Sequence, residues 1–169
     1  MHISARRIGA TALGLVCAAA LASPASAGTT SSNLGVSATV TANCTVSTSA
    51  LAFGSFDALA GAAVTGTGGV TVTCTNGTVW TAAADAGTGS GATMAVRKLT
   101  YSGNTLNYSI YTTNGYGTVW GDGTSSTATV GATGNGTAQS VTVYGRITAG
   151  QTGAPAGGYS DTVAVTITY

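Results

Sequence analysis

Residues 33–44 read NLGVSATVTANC. Leu34, Val36, Ala38, Val40, Ala42 and Cys44 take every second position, while Gly35, Ser37, Thr39, Thr41 and Asn43 fill the other register. Strand side chains point alternately to two faces, so this period predicts one continuous half-buried strand over Asn33–Cys44. Its counterpart closes the sequence at 161–169, DTVAVTITY, where Val163, Val165, Ile167 and Tyr169 alternate with polar or small neighbours. One strand without an evident partner at the start and another with nothing after it predict a sheet completed by a neighbouring molecule.

Upstream of this stretch, His2, Arg6 and Arg7 form a basic start, residues 8–21 are apolar, and Ala25-Ser26-Ala27 is a small-residue cleavage site. This is the pattern of a secretory signal peptide over residues 1–27. The apolar run is shorter than the roughly 20 residues that span a bilayer, so no integral membrane segment is expected. Cleavage after Ala27 leaves 142 of the 169 residues, enough for one sandwich core. It also removes the sole histidine, leaving Arg97, Lys98 and Arg146 against Asp57, Asp85, Asp122 and Asp161, a net charge of −1. Three basic side chains cannot neutralise the roughly six or more phosphates that DNA binding engages, so nucleic acid is excluded as a partner. Abundant Thr, Ser, Asn and Gly can wet a surface without ionising. With 26 Gly, 2 Pro and few helix-forming residues, the chain reads as all-β with Gly-rich turns.

Two cysteines remain after cleavage, Cys44 and Cys74, and in an exported protein an even pair predicts a disulfide. Closing a loop of this length stabilises by roughly 3.6 kcal/mol in the chain-entropy picture. No metal site is expected, since no histidine or further cysteine is left to build one.

Downstream, the first strand extends through Thr45 and Val46, and Leu51–Gly54 starts a second short segment with Phe53 and Phe56 as core anchors. Residues 58–69 read as a loop or irregular edge, and Val70, Val72 and Cys74 as the inward face of a strand. Asn76-Gly77 is a turn signal, with residues 79–84 as the returning strand. Residues 94–101 and 106–111 flank Ser102-Gly103-Asn104 as a hairpin, with Leu106, Tyr108 and Ile110 on one face. A turn region at 114–123, a polar strand or loop at 124–136 and a strand over 138–147 follow, and a loop at 150–158 leads into the last strand. Seven or eight short strands between turns predict a β-sandwich of immunoglobulin type.

The residue inventory argues against an enzyme. No histidine, glutamate or free cysteine survives processing, and serines without a base are weak nucleophiles. Asp57, Asp85 and Asp122 each stand near Gly or Ser where they are expected to close turns. One carboxylate at Asp122 does not make a calcium site, and the Gly-rich run 87–91 lacks the lysine of a phosphate loop, so no cofactor is expected. Tyr101, Tyr108, Tyr111, Tyr116 and Trp120 read first as core or cross-strand packing and second as an adhesive patch. Arg146 beside Tyr144 is expected to pair with an aspartate or stack on a ring.

Several stretches in order carry a resemblance: 42–47 ANCTVS, 51–54 LAFG with Phe56-Asp57, 72–78 VTCTNGT, 106–111 LNYSIY, 120–124 WGDGT, 143–147 VYGRI, Gly150-Gln151 and the closing 159–169 YSDTVAVTITY. Together they resemble the spore coat protein U domain family, which includes the pilin subunits of archaic chaperone-usher pili, over essentially the whole of residues 28–169. Phe56 stands where that pattern has Tyr, and Thr148 where Pro often follows the Arg-Ile pair.

The resemblance implies an incomplete immunoglobulin-like β-sandwich over residues 44–169, completed by donor-strand complementation. Residues 28–43 would be the donor segment, with Leu34, Val36, Ala38, Val40 and Ala42 as donor side chains. Val163, Val165 and Ile167 would line the acceptor groove, and Tyr169 would sit where a periplasmic chaperone grips the C-terminus. Burying one Leu, two Val and two Ala in such a groove is worth at most about 10 kcal/mol before backbone pairing is counted. The implied partners are that chaperone, an outer-membrane usher and other copies of this chain or related pilins. The implied location is the periplasm and then the cell surface or medium, in a fimbria serving adhesion or biofilm formation. The alternative is a spore or cell-surface coat protein of the same fold that forms no pilus.

Overall fold

The structure is a computed structural model that describes residues 25–169. The expected signal peptide lies, but for its last three residues, outside the described residues. The chain divides into two compact units, Met1–Ala38 and Thr39–Tyr169. In the first, residues 25–38 carry no regular secondary structure and are exposed.

The second unit is all-β. Its strands are β1 (Cys44–Ala52), β2 (Val64–Cys74), β3 (Val79–Ala84), β4 (Arg97–Tyr101), β5 (Asn104–Tyr111), β6 (Val130–Thr133), β7 (Gln139–Ile147) and β8 (Val165–Thr168). They form a five-stranded sheet in the order β1-β2-β7-β5-β4 and a three-stranded sheet in the order β6-β3-β8. Every strand-to-strand pairing within them is antiparallel. Period-2 alternation turns Val70, Val72 and Cys74 of β2, Leu106, Tyr108 and Ile110 of β5, and Val143 and Ile147 of β7 inward. From the other layer come Trp80, Ala82 and Ala84 of β3, with Trp120 from the loop after β5. The two indoles are the largest fully buried side chains and keep their N–H groups satisfied, Trp120 donating to Ala82 O at 3.0 Å and Trp80 to Gln139 Oε1 at 3.1 Å.

Local chemistry sets several connections. The β4–β5 hairpin closes through Ser102 and Gly103, at φ 46° and 82°, the two positive angles of a type I′ turn. Asn76-Gly77 also turns, but β3 does not return beside β2. Both edges of β2 are taken, by β1 and β7, so the chain crosses to the other layer, held by bonds from Gly77 N to Gly134 O and from Gly134 N to Thr78 O. Cys44 and Cys74 are directly opposed in the β1–β2 ladder and form the expected disulfide.

Four boundaries differ from expectation. The strand predicted over Asn33–Cys44 is not formed before Cys44: residues 33–43 lie in no strand, because no ladder reaches them. Thr45–Val46 and Leu51–Ala52 are instead one strand, β1, with a register irregularity between Ser49 and Ala52. β2 begins at Val64, inside the predicted loop, because Val64–Gly69 pair with β7 residues Thr142–Ile147. The last strand is formed only over Val165–Thr168, since the Thr162 and Ala164 N–H groups bond to the side chains of Asp161 and Asp85, and Ala164 O alone continues toward β3 by accepting from Asp85 N at 3.1 Å.

Candidate functional site: an open groove between the first and last strands

β1 and β8 are edge strands of different sheets, β1 pairing only with β2 and β8 only with β3. Their free edges border an open groove. One part, of about 310 Å³, has Thr48–Leu51 and Phe53 on one side and Val163 and Val165 on the other, above the core residues Val70, Ile110, Trp120 and Val143. A second part, of about 890 Å³, continues among Leu51, Phe53, Phe56, Leu99, Leu106, Ile147, Ala154 and Tyr159. Leu51, Phe53, Leu99 and Asp161 border both. The chain directions oppose each other across it, since the middle of β1 faces Val165 and Val163 while the segment after β1 faces Asp161 to Ala154. The wall made by Leu51 and Phe53 depends on Gly145 of β7. A Cβ there would stand 2.7 Å from Leu51 Cδ2 and 2.8 Å from Phe53 Cζ, so a side chain at this position would push the ends of both from where they now lie on the sheet.

The floor of the groove is apolar, its rims carry Thr48, Ser49, Ser55, Asp57 and Thr162, and its waist is polar. There Asp161 accepts bonds from Thr88 N, Thr88 Oγ1 and Thr162 N on Oδ1 and from the Tyr108 hydroxyl on Oδ2, all at 2.8 Å. Asp85 braces the same segment, its Oδ1 accepting from Gly87 N at 2.9 Å and Ala164 N at 3.0 Å. Beneath them Arg97, with none of its surface exposed, donates to the carbonyls of Asp85, Met94, Ala84 and Trp120. Burial pushes its guanidinium below the ordinary value, while Tyr108, Asp85 and Asp161 pull the other way. Burial and the bond to Asp161 push the Tyr108 phenol well above its usual range. Among the described residues no buried side-chain polar atom lacks a partner.

The structure brings Val163 and Val165 to the groove, while Ile167 sits opposite Ala82 of β3 and Tyr169 is 57% exposed beyond the last strand. Leu34, Val36 and Val40 are 87%, 87% and 82% exposed, and Ala38 and Ala42 are exposed too. Residues 34–42 therefore keep their alternation with no strand to bury it. The aromatic set does not form one patch. Tyr108 and Trp120 are core, Tyr101 packs with Tyr159, and Tyr111 meets Tyr116 edge-on with Arg146 5.6 Å over the Tyr116 ring. In the sequence Arg97 stands out only as one of three basic charges after residue 27. Its inward place was signalled by Leu99, two residues on and on the same face of β4.

No groups of His, Cys, Asp or Glu among the described residues could hold a metal, and no helix there is long and apolar enough to cross a membrane. No curated protein matches the chain. Among solved structures, a chain of the CsuC–CsuE chaperone–tip adhesion subunit pre-assembly complex from archaic chaperone-usher Csu pili of Acinetobacter baumannii is similar at a TM-score of 0.58 and 20% identity. The alignment covers 78% of this chain and 40% of that one, so the present chain spans well under half of its length. That likeness establishes the two-layer fold. The Spore Coat Protein U domain matches residues 30–166, and with nearly the whole length so covered the chain belongs to the spore coat protein U domain family.

Proposed function

We propose that this chain is a structural subunit of a surface fibre assembled by the chaperone-usher route through donor-strand exchange. The carrying observation is the pairing of two unsatisfied features: an exposed alternating segment, residues 34–42, and a groove with an apolar floor between two free strand edges. Leu34, Val36, Ala38, Val40 and Ala42 of one copy enter the groove of the next, beside Val163 and Val165. An added strand there supplies backbone partners to both β1 and β8 as well as apolar area. Residues 1–27 serve as the export signal. A periplasmic chaperone covers the groove, with Tyr169 and its carboxylate within its grip, until an outer-membrane usher exchanges it for the next subunit. The fibre serves adhesion or biofilm formation, and no reaction is catalysed.

Surface material sheared from producing cells tests this on denaturing gels with and without heating, beside a variant lacking residues 28–42. Multimers that survive without heating, collapse on boiling and vanish in the variant are expected. A single monomer band in every lane, from folded and exported protein, would reject the fibre and favour a coat protein of the same fold, the role the family's name describes.

A further inference from the structure

The β1–β2 ladder ends at the disulfide pair Cys44 and Cys74, yet the chain is held for longer than that. Thr75 N donates to Asn43 O at 2.9 Å, as the next rung of a ladder would. The reciprocal rung, from Asn43 N to Thr75 O, is not formed, and Thr75 O accepts the Thr78 N–H of the turn at 3.0 Å. The Thr75 hydroxyl takes its place, accepting from Asn43 N at 3.1 Å. Its own proton is shared between Asn43 O at 3.3 Å and Thr41 O at 3.5 Å. Residues 41–43 are thus clipped to the end of β2 by a side chain.

This position matters because of chain direction. To reach its own groove, the segment before Cys44 must lie along the free edge of β1. It is covalently joined to the N-terminal end of β1, so the short route is a hairpin reversing at residues 42–43. An added strand made that way runs antiparallel to β1 and, since β8 opposes β1 across the groove, parallel to β8. A hairpin needs Asn43 to leave Thr75. The clip occupies the residues that would have to turn.

Resting on the donor-strand reading above, we infer that Thr75 is the residue that denies the N-terminal segment its own groove and so commits it to a second copy of the chain. Loss of the hydroxyl removes the bond to Asn43 N and leaves Asn43 held only by the main-chain bond from Thr75 N, so the reversal is eased by the strength of one such bond, a shift of about five-fold in the balance of self-filled to free chains.

The test uses the whole mature chain, residues 28–169, refolded at one concentration as wild type, Thr75→Val, Thr75→Ala and Thr75→Ser. Native mass spectrometry reads monomers against multimers, and amide exchange reads protection of residues 34–42 within the monomer fraction. The expected result is multimers for wild type and Thr75→Ser. Thr75→Val and Thr75→Ala should show an approximately five-fold larger monomer fraction in which residues 34–42 are protected. Equal monomer fractions and equal protection in all four would overturn the inference, as would the same behaviour from Thr75→Ser and Thr75→Val. Unfolding of both hydroxyl-free variants would overturn it too, by making Thr75 a determinant of the sandwich itself. If wild type forms no multimers, the fibre reading fails. The clip would still stand if residues 34–42 then exchange freely in wild type and become protected in Thr75→Val.

Discussion

Arg97 carries the largest buried charge-bearing group of the sandwich and has no carboxylate bonded to it; all of its bonds go to main-chain carbonyls. It ties the end of β3, the loop before β4 and Trp120 to one point. Arg97→Met keeps much of the stem but leaves those oxygens without a donor, so a loss of about 3 kcal/mol is expected in guanidinium denaturation. Arg97→Lys should recover only part of it, since one ammonium cannot span the same four oxygens. A loss under about 1 kcal/mol for Arg97→Met would remove this role. Tyr108 gives a pH signature. Its phenol ionises less readily folded than unfolded, so its contribution is whole below the ordinary value of 10.0 and is lost as pH rises past it, because the unfolded chain gives up the proton first. Denaturation midpoints should fall between roughly pH 9 and 12, and Tyr108→Phe should flatten that limb. An unchanged limb in Tyr108→Phe would assign the fall to other tyrosines.

Among the elements, the last strand and the first share the defect that defines the site. Val163, Val165 and Ile167 alternate as an inward face should, yet each is only half-buried, since the free edge of β8 leaves one side open. A synthetic peptide of residues 33–43 added to a chain lacking residues 28–42 should therefore raise its melting temperature, with about 2.7 kcal/mol gained at a hundred times the dissociation constant. Calorimetry that finds no shift at millimolar peptide would separate the segment from the groove. The alternation of residues 34–42 and 163–167 was legible in the sequence because a period of two needs only neighbours along the chain. So were the disulfide and the β4–β5 turn. The groove itself was not, because its far wall of Leu51, Phe53, Phe56 and Tyr159 is gathered by strand order from distant parts of the chain. The early start of β2 was hidden for a related reason: its Gly- and Thr-rich half, Val64–Gly69, is a strand because β7 lies along it, with the end of β1 on its other side. The bonding of Asp161 at the groove's waist was likewise unreadable, since Tyr108 and Thr88 come to it from 53 and 73 residues away.

For the molecule as a whole, the position of the disulfide bears on mechanics. Pull on a fibre built as proposed arrives through the segment that precedes Cys44. Without a crosslink that tension would fall on β1, an edge strand joined to the sheet along one side only. Cys44 is instead bonded covalently to Cys74, the last residue of β2, which lies between two neighbours and is the longest strand, with 11 residues. The load path therefore bypasses the strand most easily peeled and enters the sheet at an interior member, where many hydrogen bonds must shear at once. A tether anchored there makes each joint of the chain, rather than the subunit beside it, the place where a stretched fibre would yield.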